Sequence, residues 1–201
     1  MRATEAMNAD RGEALTNEDA FASVFYPALG LDRSTLEPAF ERFYTEEFPR
    51  LRALTRRRSE ARSLVDWAVR QELQVAVATN PLFPRRAVEQ RLAWAGVPVD
   101  EFDYALVTTY ETMHATKSHT AYYCEILDRL DRRPEECLMV GDNWEWDIVN
   151  AAAAGIEGFW IAPPDAQPGD SGVEPVGQGT LDDFHAALVS GALTGVRAPS
   201  P

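Results

Sequence analysis

From about residue 58 onward, short apolar runs alternate with segments whose apolar residues recur at helical spacing. Runs 73–78, 105–109, 137–141 and 158–162 read as strands. Segments 59–72, 84–95, 119–130 and 145–154 read as helices, with Gly96 and Gly155 as stops. Short apolar strands separated by helices predict a mostly parallel sheet covered on both faces, here with four strands. Before residue 58 the pattern is helical only. Residues 1–16 form a polar, Ala-containing start that reads as part of a helix. Phe21, Val24, Phe25, Ala28 and Leu29 then share one helical face, and Gly30 ends it. Ser34-Thr35-Leu36-Glu37 reads as a capping box. Phe40, Phe43, Tyr44 and Phe48 make an aromatic stripe suited to packing between helices. Residues 163–179, rich in Pro and Gly, read as loop. Thr180 caps a last helix from Leu181 to Val189, and Gly191 to Pro201 reads as a frayed tail. The expected architecture is α/β, with a doubly wound, mostly parallel sheet and an N-terminal helical segment. The divisions are 1–57 (helical), 58–190 (α/β core) and 191–201 (tail).

Composition narrows the function. With 201 residues, 45% hydrophobic and 25% charged, the chain can bury one core and a smaller appendage. A formal net charge of −13 argues against nucleic-acid binding, which needs clustered Lys and Arg. It leaves a phosphorylated substrate open, because a metal and local donors set the potential inside a cleft. The basic runs Arg56-Arg57-Arg58 and Arg132-Arg133 adjoin helix ends and read as solvated. Cys124 and Cys137 are far apart and lack zinc-ligand spacing, which fits a reducing cytoplasm. The N-terminus has no apolar leader pattern, and no apolar stretch approaches a membrane span. His114, His119 and His185 share no motif and read as surface residues.

The chemistry concentrates in the run Cys137 to Asp147. Its strand ends in Gly141-Asp142, and Asp147 follows five residues later on the next helix. Two carboxylates then stand at the carboxyl edge of a strand, where open α/β sheets bind ligands. Such a pair suits Mg²⁺, which takes one or two carboxylates and fills its other positions with water and phosphate. The plain structural reading is a strand-turn-helix with an acidic first turn, favoured by the helix dipole. Upstream, the strand 73–78 ends in Thr79-Asn80-Pro81, whose hydroxyl and amide can bind a phosphate oxygen. Thr79 could equally be a turn or cap residue. Lys117 follows the strand 105–109. At about 4 Å from a phosphoryl oxygen an ammonium is worth about 4 kcal/mol at an effective dielectric near 20. Its bland alternative is a solvated surface lysine. The ordered set of strand-Thr, strand-loop-Lys and strand-Gly-Asp-four residues-Asp carries more than any member of it.

That order resembles the haloacid dehalogenase-like (HAD) superfamily of phosphohydrolases, from Thr79 through about Ile161. The resemblance implies that Thr79, with Asn80, binds the transferring phosphoryl group. It implies that Lys117 neutralises that group and the nucleophile, and that Asp142 with Asp147 holds Mg²⁺. It also implies a HAD-like Rossmannoid core, a helical cap in residues 1–57, a small phosphorylated metabolite as substrate, and these side chains gathered at the strands' carboxyl ends. Departures are Ser118 after the lysine, where proline is usual, and Trp146 before the last acid, where Asn is common. Gly141-Asp142, rather than Ser-Ser-Asn, resembles the metal-dependent phosphatase branch. The family's first motif, Asp-x-Asp at the end of the first strand, occurs nowhere in the chain. The expectation is therefore a member that begins inside its cap, lacks the first strand and nucleophile, and is inactive alone. The rival expectation is a non-catalytic HAD-like binding or regulatory protein. A receiver-like phosphoacceptor is excluded by order, since receivers place their acids before the Thr and Lys.

Overall fold

The structure, a computed structural model, describes residues 2–10, 12 and 14–193. Part of the expected tail, residues 194–201, lies outside the described residues. The chain forms two compact units, Met1–Ser59 with Ala76–Thr116 and Glu60–Val75 with Lys117–Pro201.

In the first unit, helix α1 (Arg2–Asn8) packs on α2 (Asn17–Leu29). Thr16 caps α2 by accepting from the Asp19 N–H at 3.1 Å, and Gly30 ends it in the left-handed conformation. Helix α3 (Arg33–Arg42) departs from the expected capping box. It starts at Arg33 behind Asp32, so Ser34 lies inside its first turn. Glu37 instead accepts from Arg33 at 2.6 Å, an i,i+4 pair that suits a start at Arg33, two residues before the Thr35 start that a cap at Ser34 would give. A π turn (Phe43–Glu47) and a 3₁₀ turn (Phe48–Leu54) follow. Of the aromatic stripe, Phe40 meets Phe25, Phe48 is buried and stacks on Trp94, and Phe43 stays exposed. Strand β1 (Ala76–Val77) pairs in parallel with β2 (Leu106–Val107), connected through α5 (Arg85–Ala95), whose Ala87 and Val88 are buried.

The second unit takes in all but the first residue of α4 (Ser59–Arg70), then α6 (Thr120–Leu130) and β3 (Leu138–Gly141). A π turn (Trp144–Val149), α7 (Asn150–Ala153), β4 (Glu157–Ile161), β5 (Gly177–Gly179) and α8 (Leu181–Ser190) complete it. Its sheet is parallel, in the order β3-β4-β5. Among the described residues five strands form where four were expected. Strand β5, Gly-Gln-Gly, has no apolar pattern and forms because β4 supplies the ladder. Gly177 lies where a Cβ would overlap the Phe159 ring. One core joins Phe159, Phe184 and Leu188 with Leu64, Trp67, Leu138 and Val140. A second joins Ile148, Trp160 and Ala162 with Trp144, Ala166 and Val173. His114, His119 and His185 are half-buried rather than fully exposed. No helix among the described residues is long and apolar enough to cross a membrane.

Candidate active site

Strand β3 delivers the acid-bearing turn. Leu138 and Val140 pack into the core, so the strand's end is fixed from below. From the neighbouring strand, the Trp160 indole N–H donates to the Asp142 carbonyl at 3.1 Å. Asn143 starts the π turn, its Oδ1 accepting from the Trp146 N–H at 2.8 Å. The Tyr123 hydroxyl, on α6, donates to the Trp146 carbonyl at 2.7 Å. A π turn is a rare form that recurs at functional positions. Here it turns Asp147 back over the end of β3. Gly141 leaves room for it, since a Cβ there would overlap the Asp147 carboxylate.

Asp147 is buried with a buried partner. Lys117 Nζ donates to its Oδ1 at 2.7 Å, with side-chain exposures of 10% for the lysine and 5% for the acid. The Asn143 main-chain N–H donates to Oδ2 at 3.0 Å. Asn150 Nδ2, at the start of α7, donates to the Lys117 carbonyl at 2.8 Å, so the turn and the helix after it hold the lysine by side chain and main chain. Burial, then the negative charge of Asp147, pushes the Tyr123 phenol well above its ordinary range. It stays a donor across the neutral range. Asp142 is exposed, and its carboxylate has no partner among the described residues.

The two acids thus differ in state. Asp147 is ion-paired but keeps lone pairs, because a carboxylate offers about four acceptor sites and two are used. Asp142 is free. The pair suits a hard cation that keeps several waters. Among the described residues no group of three or more His, Cys, Asp or Glu gathers as a metal cage, so these side chains supply two ligands at most.

Thr79 and Asn80 belong to the first unit, just past β1. The Thr79 N–H donates to Thr108 Oγ1 at 2.9 Å, and its hydroxyl donates to the Thr108 carbonyl at 3.1 Å. The Asn80 carbonyl accepts from the Leu82 N–H at 2.8 Å, closing the turn into α5. Asn17, fully buried at the start of α2, donates from Nδ2 to the carbonyls of Pro81 at 3.2 Å and Ala115 at 3.0 Å. Asn17 thereby ties the loop after β1 to the loop after β2. Glu111 caps α5, accepting from the Arg85 N–H at 2.8 Å.

Sequence reading named Thr79, Asn80, Lys117, Asp142 and Asp147 as candidates and did not name Asn17, Thr108, Tyr123, Asn143 and Asn150, whose side chains hold the surrounding turns. Only Asn143 carried a local signal, as a cap-type residue just before the turn.

Known proteins place the chain. No curated protein matches it in sequence. Among solved structures it resembles a HAD phosphatase of Thermococcus onnurineus, at 19% identity and a TM-score of 0.60, covering 90% of this chain and 83% of that one. It resembles the HAD-hydrolase YfnB of Bacillus subtilis, solved with magnesium, at 20% identity and a TM-score of 0.55, covering 87% and 73%. It also resembles a 2-haloacid dehalogenase of Pseudomonas syringae pv. Tomato DC3000, at 19% identity and a TM-score of 0.56, covering 87% and 66%. At these identities the likeness shows the fold. The sequence profile of haloacid dehalogenase-like hydrolases matches residues 13–155, most of the chain, and the protein belongs to that hydrolase family.

Proposed function

We propose that the chain carries the phosphoryl-binding and metal-binding parts of a Mg²⁺-dependent phosphohydrolase acting on a small phosphorylated metabolite. The observation that carries this reading is the free Asp142 carboxylate on the same turn as the buried Lys117–Asp147 pair. An unpaired acid beside a neutralised one is what a cation needs. The Gly141-Asp142 start also resembles the metal-dependent phosphatase branch more than the Ser-Ser-Asn start of the dehalogenase branch. Asp142 and Asp147 would hold Mg²⁺, whose charge would offset that of a phosphoryl group. Thr79 and Asn80 would hydrogen-bond phosphoryl oxygens, and Lys117 would add positive charge to the same reaction. The division into a helical cap (1–57) and an α/β core (58–190) belongs to this reading, with the cap setting substrate choice. A cytoplasmic setting fits the two free cysteines.

Covalent phosphoryl transfer needs an attacking group, which in the full family mechanism is the first Asp of Asp-x-Asp. The family's Asp-x-Asp is not in this sequence. Asp142 holds the metal-ligand place in the motif order and is not assigned the nucleophile's role. The chain as given should therefore bind Mg²⁺ weakly and turn over phosphate esters no faster than a Thr79→Ala/Asp142→Asn double variant. Calorimetric titration with Mg²⁺ and hydrolysis of p-nitrophenyl phosphate test both parts. Unchanged Mg²⁺ affinity in Asp142→Asn would move the metal elsewhere. Robust Mg²⁺-dependent turnover that disappears in Lys117→Ala would give the nucleophile's role to another carboxylate. The missing motif also favours a second reading, a non-catalytic protein that binds a phosphometabolite through the same residues.

A further inference from the structure

We propose that Thr108 is a positioning residue for phosphate binding, its buried hydroxyl setting the main chain of Thr79 so that the Thr79 side chain, not its N–H, meets the anion. The inference rests on the reading of Thr79 given above. The regular β1–β2 ladder ends at the pair Val77 and Val107, where the Thr108 N–H donates to the Val77 carbonyl at 3.1 Å. Beyond that point side chains continue the pairing. Thr108 Oγ1 accepts from the Thr79 N–H at 2.9 Å. It lies 3.1 Å from the carbonyls of both Val77 and Thr79, one of which takes its proton. The Thr79 hydroxyl answers by donating to the Thr108 carbonyl at 3.1 Å.

This clasp has a cost and a consequence. Thr108 is 0% exposed, and a buried hydroxyl is stable only with its partners in place. Valine would fill the same volume without that requirement, so packing alone does not call for the hydroxyl. The consequence is a division of labour. The Thr79 N–H, already engaged by Thr108, is not a free anion donor. The Thr79 hydroxyl can transfer its hydrogen from the Thr108 carbonyl to an incoming phosphoryl oxygen by rotation about one bond, with no heavy atom moving. A donor that needs no reorganisation binds better than one that must be ordered first.

The probe is inorganic phosphate with Mg²⁺, titrated by calorimetry into the chain and four variants. Thr79→Ala and Thr108→Val should each raise the phosphate Kd about fivefold to tenfold, the loss of roughly one hydrogen bond. Thr108→Ser, which keeps the hydroxyl, should stay within about twofold, and the Thr79→Ala/Thr108→Val double variant should be no weaker than either single one. A merely structural Thr108 would lower the melting temperature and leave Kd unchanged. That result, with Thr79→Ala still weakening binding, overturns the inference and leaves the Thr79 reading standing. Absence of phosphate binding, or no effect of Thr79→Ala, overturns both. Should Thr108→Val not fold, the unaltered protein decides. Its Thr79 amide should be protected from hydrogen exchange before phosphate is added, and rapid exchange there overturns the inference.

Discussion

At the scale of single residues, the Lys117–Asp147 pair dominates. Breaking a buried pair leaves one charge without compensation, which costs about 3–5 kcal/mol. Lys117→Met should destabilise the protein by that order in urea unfolding, and Asp147→Asn placed on top should recover part of the loss. An additive double variant would mean that the two side chains do not share their energy. Tyr123 gives a pH signature. Its phenol is raised chiefly by burial, so its contribution is present below the unfolded value of about 10 and is lost as pH rises beyond it. Stability should fall on the alkaline side of about pH 10, and less steeply in Tyr123→Phe, as read from chemical unfolding across that range. The residues that the sequence proposes for the site, Thr79, Asn80, Lys117, Asp142 and Asp147, all follow apolar strand runs. Asn17, Thr108 and Tyr123 were not legible because their partners lie elsewhere in the chain. Asn17 reaches carbonyls 64 and 98 positions away, and Tyr123 one 23 positions away.

At the scale of elements, the turn after β3 depends on one missing side chain. Gly141→Ala would place a methyl group against the Asp147 carboxylate, which cannot retreat without leaving Lys117 and the Asn143 N–H. Overpacking of this kind costs about 1–3 kcal/mol. The variant should lose stability in urea and lose Mg²⁺ affinity together, and loss of one without the other would separate the turn's fold from its binding. At the other end of the unit, Thr180 and Asp183 form a reciprocal cap on α8. Thr180→Ala should cost about 1 kcal/mol. Hydrogen bonds from Thr180 hold the Asp183 carboxyl below its usual value, so the stability it adds is present above the ordinary carboxylate range and fades as pH falls through its lowered folded value. Asp183→Asn should therefore differ from the parent at neutral pH and converge with it in acid. This cap was visible in sequence because Thr180 directly precedes an apolar helical run. The box expected at Ser34 was not formed, because the Arg33–Glu37 pair claimed the glutamate. Strand β5 escaped notice because its ladder, rather than its own residues, makes it a strand.

At the scale of the whole molecule, the parallel α/β class followed from alternating periodicity, while the grouping of strands into sheets did not. Among the described residues two strands pair in one unit and three in the other. A strand's own pattern records that it is buried, not which neighbour it pairs with. In this fold β1 and β3 each end a sheet, leaving one edge without a strand partner among the described residues. On the reading proposed above, Thr79, Asn80 and the acid pair would serve phosphate and metal, and the sequence holds no Asp-x-Asp. Both features lead to one experiment. An apolar strand ending in Asp-x-Asp, joined through a flexible linker to the N-terminus, should raise melting temperature by occupying an open edge and should confer Mg²⁺-dependent hydrolysis of p-nitrophenyl phosphate. Changing the first Asp of the added strand to Asn should abolish turnover and keep the thermal gain. Formation of an aspartyl-phosphate needs the added carboxylate as its attacking group, so the rate that it confers should vanish with the Asn change. Thermal gain without turnover in the Asp-bearing fusion would assign Thr79, Lys117, Asp142 and Asp147 to binding and favour the non-catalytic reading. Turnover that survives the Asn change would place the nucleophile among the chain's own carboxylates.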